Sequence, residues 1–175
     1  HSYIQRVINK EPDERYAIRR TIDTIAEFTG TAPRGWMGPG LAETFDTPDI
    51  LAEEGIEYVA DWCNDDQPYP MKVKSGSLVA LPYTVELNDI PVYLVQHHRS
   101  PELFDRAKDH FDTLYQEGAE SARIMCVSTH PYITGAAHRI KYYDQIFEYI
   151  RQHDDVVFMT GSEILDWYTG ETRSS

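Results

Sequence analysis

Residues 35–69 read GWMGPGLAETFDTPDILAEEGIEYVADWCNDDQPY, and their reading decides the fold. A glycine-rich turn at Gly38-Pro39-Gly40 leads to a short helix, capped by Asp46 or Thr47, opened by Pro48 and closed by Gly55. The apolar strand 56–60 then runs straight into Asp61, Trp62, Asp65 and Asp66. Carboxylates and an indole crowded at the end of a strand suit neither a core nor a plain surface. They suit the lip of a site.

The same alternation continues on both sides. Residues 13–29 predict an amphipathic helix, with Asp13 as cap, Ile18, Ile22, Ile25 and Phe28 near a 3.6-residue period, and Gly30 as its end. A short strand, 34–36, enters the glycine turn. Residues 64–77 are polar and turn-rich and predict a long loop. Strands are expected at 78–81, stopped by Pro82, and at 91–96. Ser100-Pro101-Glu102 opens a helix whose stripe is Leu103, Phe104, Ala107, Phe111, Leu114 and Tyr115, closed by Gly118.

A strand over 123–128 breaks at Thr129-His130-Pro131. A helix carrying Ile140, Tyr143, Ile146, Phe147 and Ile150 runs to about His153. A strand at 156–159 leads into Thr160-Gly161-Ser162-Glu163, a capping box that opens a last helix to about Trp167. One domain over 1–170 with a frayed tail, 171–175, is the expected organisation.

Alternating helices and strands predict an α/β fold with a mainly parallel sheet. Trp36, Asp61-Trp62, Tyr83, His130 and Thr160 all fall where a strand is expected to pass into its loop. The carboxyl edge of such sheets is where ligands bind.

Bulk properties bound the partners. The 175 residues are 41% apolar and 26% charged, ordinary for a globular protein. A net charge of −13 disfavours a nucleic-acid backbone or an anionic membrane as partner. The apolar runs are too short to span a bilayer, and there is no signal-peptide pattern. Cys63 and Cys126 lack metal spacing and read as thiols of a reducing compartment, with a disulfide as the alternative. Cytoplasmic localisation is the expectation.

His130 is the first catalytic candidate. It follows a β run and precedes Pro131, so its imidazole can project from a strand end, and an imidazole exchanges protons near neutral pH. The competing reading, a buried histidine tied to a carbonyl, carries slightly less weight. Asp61 is the second candidate: a carboxylate there can orient a histidine or hold it protonated. A capping role weighs evenly against that. Trp62 offers a flat apolar wall for a sugar or heterocycle.

Asp65 and Asp66, and the Glu86, Asn88 and Asp89 group after Tyr83, lie in acidic loops of the kind that are usually solvated. His97-His98 look like a metal pair, but strand neighbours face opposite ways and Arg99 disfavours a cation. No phosphate-cradling loop or nucleophile elbow is present.

Four groups of residues, in combination and order, resemble the NodB-type polysaccharide deacetylases, most closely their allantoinase-like branch. They are Arg34-Gly35-Trp36 with Pro39, Asp61-Trp62 followed by Asp65-Asp66, Pro82-Tyr83 with Glu86-Leu87-Asn88-Asp89, and Thr129-His130-Pro131-Tyr132. The likeness runs over nearly the whole chain. It implies a distorted (β/α) barrel with its site at the carboxyl rim, and hydrolysis of a non-peptide C–N bond by a divalent metal such as zinc, an aspartate base and a histidine acid. His130 looks like that acid, and Asp61-Trp62 like the motif that lines and tunes the pocket. Trp36, Trp62, Asp66, Tyr83 and Asn88 are the substrate-binding candidates.

The departures from the family pattern are specific. His1-Ser2 resembles the start of the His-Ser/Thr-x-x-His metal motif, which makes His1 a metal-ligand candidate, but Gln5 stands at the second histidine. Trp36 replaces the proline of the Arg-x-Pro turn, and Ser128 replaces a leucine two places before the acid histidine. The aspartate pair for base and metal ligand would lie upstream of His1.

The sequence thus resembles the C-terminal two-thirds of the domain, with N-terminal strands missing. Open strand edges then call for a partner: the N-terminal portion, as another chain or removed, or a second copy. The leading expectation is N-deacetylation of an N-acylated sugar or related small amide. The alternatives are a metal-independent, allantoinase-like cyclic amidase and a non-catalytic carbohydrate-binding relative.

Overall fold

The structure, a computed structural model, describes residues 6–174, with side chains as far as Gly170. The chain divides into two compact units, one comprising His1–Leu81 with Met159–Ser175 and the other Pro82–Phe158.

In the first unit, helix α1 (Glu14–Thr29) begins where the Asp13 carboxylate accepts the Tyr16 N–H at 2.9 Å, and ends at Gly30 in the left-handed conformation. Ile18 and Ile22 bury, but Ile25 and Phe28 stay exposed. The apolar stripe is therefore only half used. Helix α2 (Thr47–Glu53) lies beside it, and Arg15 and Arg19 of α1 pair with Glu53 and Glu54 at its C-terminal end. Thr47, buried at the start of α2, donates its hydroxyl to Glu14.

Strands β1 (Gly35–Trp36), β2 (Tyr58–Val59), β3 (Tyr69–Met71) and β4 (Leu78–Ala80) form one sheet in the order β1-β2-β4-β3. Two of its pairings join strands that the sequence predicts. β1 runs parallel to β2, with Trp36 opposite Val59, and β2 runs parallel to β4, with Val59 opposite Ala80. β3 was not expected. It pairs antiparallel to β4 inside the stretch 64–77 that reads as loop, and Pro70 is tolerated because the strand lies at the sheet edge.

Ile8, Ile18, Ile22, Trp36, Leu51, Ile56, Val59 and Leu78 make this unit's main core. Helix α5 (Gly161–Ser174) packs Leu165 against Val79 and Leu81. It opens with the expected capping box: Glu163 accepts the Thr160 N–H at 2.7 Å, and its own N–H reaches the Thr160 hydroxyl at 3.3 Å. The helix backbone continues beyond Trp167, through most of the expected tail; Ser175 lies outside the described residues.

The second unit contains α3 (Glu102–Glu117) and α4 (Ile140–Ile150), packed on each other through Leu103, Ala107, Phe111, Ile146 and Ile150. Three expected strands are not ladders here. Residues 91–96 fall largely in a π-helix, Ile90–Val95, held by a Gln96 N–H to Pro91 carbonyl bond of 2.9 Å. A four-residue apolar run fits strand and helix equally, and Asn88, whose side chain caps the Ile90 N–H at 3.0 Å, tips it to helix. The run 123–128 contributes only a parallel bridge between Ser128 and Asn88. The run 156–159 has no ladder among the described residues, and Val157, Phe158 and Met159 are exposed. Apolar content alone cannot make a strand without a neighbour to pair with.

Candidate active site

In the second unit the site is built on two segments held side by side. The Ser128 N–H donates to the Leu87 carbonyl at 2.9 Å, and the Asp89 N–H donates to the Ser128 carbonyl at 3.1 Å. That bridge sets Asp89 directly beneath the turn that begins at His130. Asp89 has no exposed surface. Oδ2 accepts the His130 N–H at 2.7 Å and the Thr134 hydroxyl at 2.6 Å, while Oδ1 lies 2.7 Å from His130 Nδ1. A carboxylate this deep is costly unless its lone pairs are filled by donors, and here three donors fill them.

The turn is closed locally, since the Ile133 and Thr134 N–H groups both donate to the His130 carbonyl, at 2.9 and 3.0 Å. Arg139 donates to the Ile133 carbonyl at 3.3 Å and lies over the Tyr93 ring at 4.7 Å, which pins the far end of the turn. The chemical consequence lies in the imidazole. Asp89 accepts a proton on Nδ1, so Nε2 is left for exchange with a reacting group. The side chain is 30% exposed, enough to meet a ligand. Tyr132 packs edge-on against the ring at 5.7 Å and is itself exposed.

Asp89 is the residue that sequence reasoning missed. It reads as one more solvated carboxylate after Glu86 and Asn88. The usable signal is its position between Leu87 and Ile90, where an apolar run buries whatever lies within it. Of the neighbouring candidates, Tyr83 shares a 2.5 Å hydroxyl contact with Ser128, and the Asn88 side chain is the cap on Ile90.

The remaining candidates lie in the first unit. Trp36 ends β1 and is buried. Asp61 follows β2; its Oδ1 accepts the Gly38 N–H at 2.8 Å. Gly38 sits at a close approach: a Cβ there would stand 3.0 Å from the Ala42 carbonyl and 3.1 Å from Asp61 Oδ2. Trp62 is 42% exposed and donates its indole N–H to Glu43 Oε2 at 3.0 Å. Glu43 and Asp61 form a carboxyl pair. Burial pushes both above the usual carboxylate range, and for Glu43 the negative charge of Asp61 adds to it; the Gly38 N–H opposes the rise at Asp61.

Asp66 is half-buried in the loop whose first turn is made by Asp65 accepting the Gln67 N–H at 2.9 Å. Arg34 is structural here. It forks onto Glu57, at 2.7 and 3.1 Å, and onto Asp166 of α5, at 2.7 and 3.2 Å. Thr160 is the α5 cap and not a strand-end residue.

No family model matches the sequence. A protein of Schizosaccharomyces pombe assigned as a polysaccharide deacetylase is 30% identical over 186 residues, covering 93% of this chain and 58% of that protein. A solved structure assigned as a polysaccharide deacetylase from Pseudomonas aeruginosa PAO1 matches at a TM-score of 0.89 with 28% identity, covering 98% of this chain and 58% of the other.

The chain shares the fold of the NodB-type deacetylases. A PuuE allantoinase structure matches this deacetylase-like chain at a TM-score of 0.86 with 28% identity, over 97% of it and 58% of the allantoinase. The chain thus spans about 58% of the length of each of these relatives.

The deacetylase-like chain offers no metal cluster among its described residues: no three His, Cys, Asp or Glu side chains come together there. His1 and Gln5, where the expected metal motif falls, lie outside those residues. Its described helices include none long and apolar enough to cross a membrane.

Proposed function

We propose that this chain supplies part of a hydrolase of non-peptide C–N bonds, with a small amide or an N-acetylated oligosaccharide as substrate. The observation that carries the reading is the His130–Asp89 pair. Breaking an amide C–N bond requires a proton on the leaving nitrogen, because an amide anion is a very poor leaving group. His130 Nε2–H delivers that proton as the bond breaks, and Nδ1 keeps its own proton on Asp89 throughout. The buried carboxylate holds the ring in one orientation through Nδ1.

A second reading is a metal-independent cyclic amidase acting on an allantoin-like substrate. It draws on Gln5 in place of a histidine and on the likeness to the allantoinase structure. Metal analysis of the intact protein separates the two: stoichiometric zinc counts against the metal-free route. A carbohydrate-metabolic role in a reducing cytoplasm fits the deacetylase reading and the thiol reading of both cysteines.

The test is turnover of an acetylated chito-oligosaccharide and of allantoin by the intact protein, before and after His130→Ala. A loss of about a hundredfold or more in kcat supports an acid role for His130. Turnover that survives the change removes His130 from the mechanism. Binding without turnover in the unaltered protein supports a non-catalytic relative.

A further inference from the structure

Glu43 touches both members of the Asp61-Trp62 pair. Its Oε2 accepts the Trp62 indole N–H at 3.0 Å. Its Oε1 is buried, as is Asp61 Oδ2, and neither accepts a hydrogen from another group among the described residues. The charge of Asp61 adds to burial in raising the Glu43 carboxyl above the usual carboxylate range. Two facing carboxylates repel, whereas a single proton between Oε1 and Oδ2 satisfies both oxygens and leaves Glu43 Oε2 free to accept from the indole. Asp61 is itself anchored from the other side by the Gly38 N–H. Trp62 is half exposed, and its indole N–H is held by Glu43.

We propose that Glu43, sharing one proton with Asp61, is a positioning residue that holds the Trp62 indole as a flat wall for the substrate. The proposal rests on the reading of Asp61-Trp62 as part of a substrate pocket in an amide hydrolase. Glutamine reproduces what protonated Glu43 does, since its amide NH2 donates to Asp61 and its carbonyl accepts from Trp62. Alanine does neither. A residue serving only as packing would also tolerate glutamine, but it would not govern solvent exchange of the Trp62 indole N–H, which is bonded to Glu43.

The experiment uses the intact protein and follows solvent exchange of the Trp62 indole N–H by heteronuclear NMR, with the signal assigned by Trp62→Phe. An acetylated chito-oligosaccharide is the kinetic probe. Glu43→Gln is expected to keep exchange and KM within about threefold of the unaltered protein. Glu43→Ala is expected to speed exchange about tenfold and to raise KM about tenfold, with kcat changing far less. Unchanged exchange in Glu43→Ala overturns the proposal, and so does a folded Glu43→Gln that behaves like Glu43→Ala. If the unaltered protein does not turn over the oligosaccharide, the functional reading fails on its own, and the exchange measurement still decides whether Glu43 positions Trp62.

Discussion

His130 Nδ1 lies 2.7 Å from Oδ1 of Asp89, a carboxylate with no exposed surface, although the two residues are 41 positions apart in the chain. The contact depends on the bridge between Ser128 and Asn88, which sets the start of the π-helix against the turn after residue 128. Asp89→Asn keeps the volume but presents an amide where the ring needs a strong acceptor. The expected result is a kcat loss of roughly 10²- to 10⁴-fold with a near-unchanged KM. Steady-state kinetics on the intact protein, with circular dichroism to confirm folding, checks it.

Asp89→Ala carries a larger structural penalty. It leaves the His130 N–H, the His130 ring and the Thr134 hydroxyl without their shared acceptor. Loss of one side of a buried charge-assisted network costs about 3–5 kcal/mol, which urea denaturation will read directly.

The Glu43–Asp61 pair makes stability depend on pH in a defined direction. Both carboxyls are raised in the folded state by burial, so the folded chain holds a proton that the unfolded chain releases. That contribution is fully present below the unfolded carboxylate pKa, about 4, and is lost as pH rises through the folded values. Stability therefore falls as pH rises from about 4 to about 7, by on the order of 1 kcal/mol. Thermal unfolding as a function of pH reads the effect, and Glu43→Gln, which cannot ionise, flattens this part of the profile.

Much of this was legible in the sequence, for physical reasons that differ by element. The capped helices were readable because Asp13, Gly30, Thr160 and Glu163 act within one turn of the backbone they satisfy. β2 and β4 were readable as apolar runs bounded by turn residues, and β1 as the short stretch entering the glycine turn. The π-helix was not, because 91–96 is too short for its period to distinguish helix from strand. β3 was hidden by Pro70, acceptable only at an edge that the sequence does not mark.

At the site, His130 was visible from its place before Pro131, but its partner was not. Asp89 reads as part of the acidic stretch after Tyr83, and the Ser128–Asn88 bridge is what brings it under the ring. Glu43 gave no signal at all, since Ala42-Glu43-Thr44 reads as ordinary loop.

Gly38→Ala tests the packing around Asp61. The backbone at Gly38 suits any residue, with φ of −72°, so the cost arises from the added methyl against the Ala42 carbonyl and Asp61 Oδ2. A destabilisation of about 1–3 kcal/mol is expected by chemical denaturation.

Arg34→Leu separates structure from chemistry. Its ionic fork onto Glu57 and Asp166 ties β1 and β2 to α5 at a largely solvated position. Thermal unfolding is expected to shift by only about 2–4 °C, with kcat and KM unchanged within about twofold.

The most direct test of the central claim, that His130 acts as the acid for the leaving nitrogen, is the leaving-group dependence of His130→Ala. The measurement compares kcat/KM of the intact protein and the variant on an acetylated amine, whose leaving group needs a proton, and on 4-nitrophenyl acetate, whose leaving group does not. The expected loss is about 10³-fold on the amide and less than about tenfold on the ester. An equal loss on both substrates, or none on the amide, contradicts it.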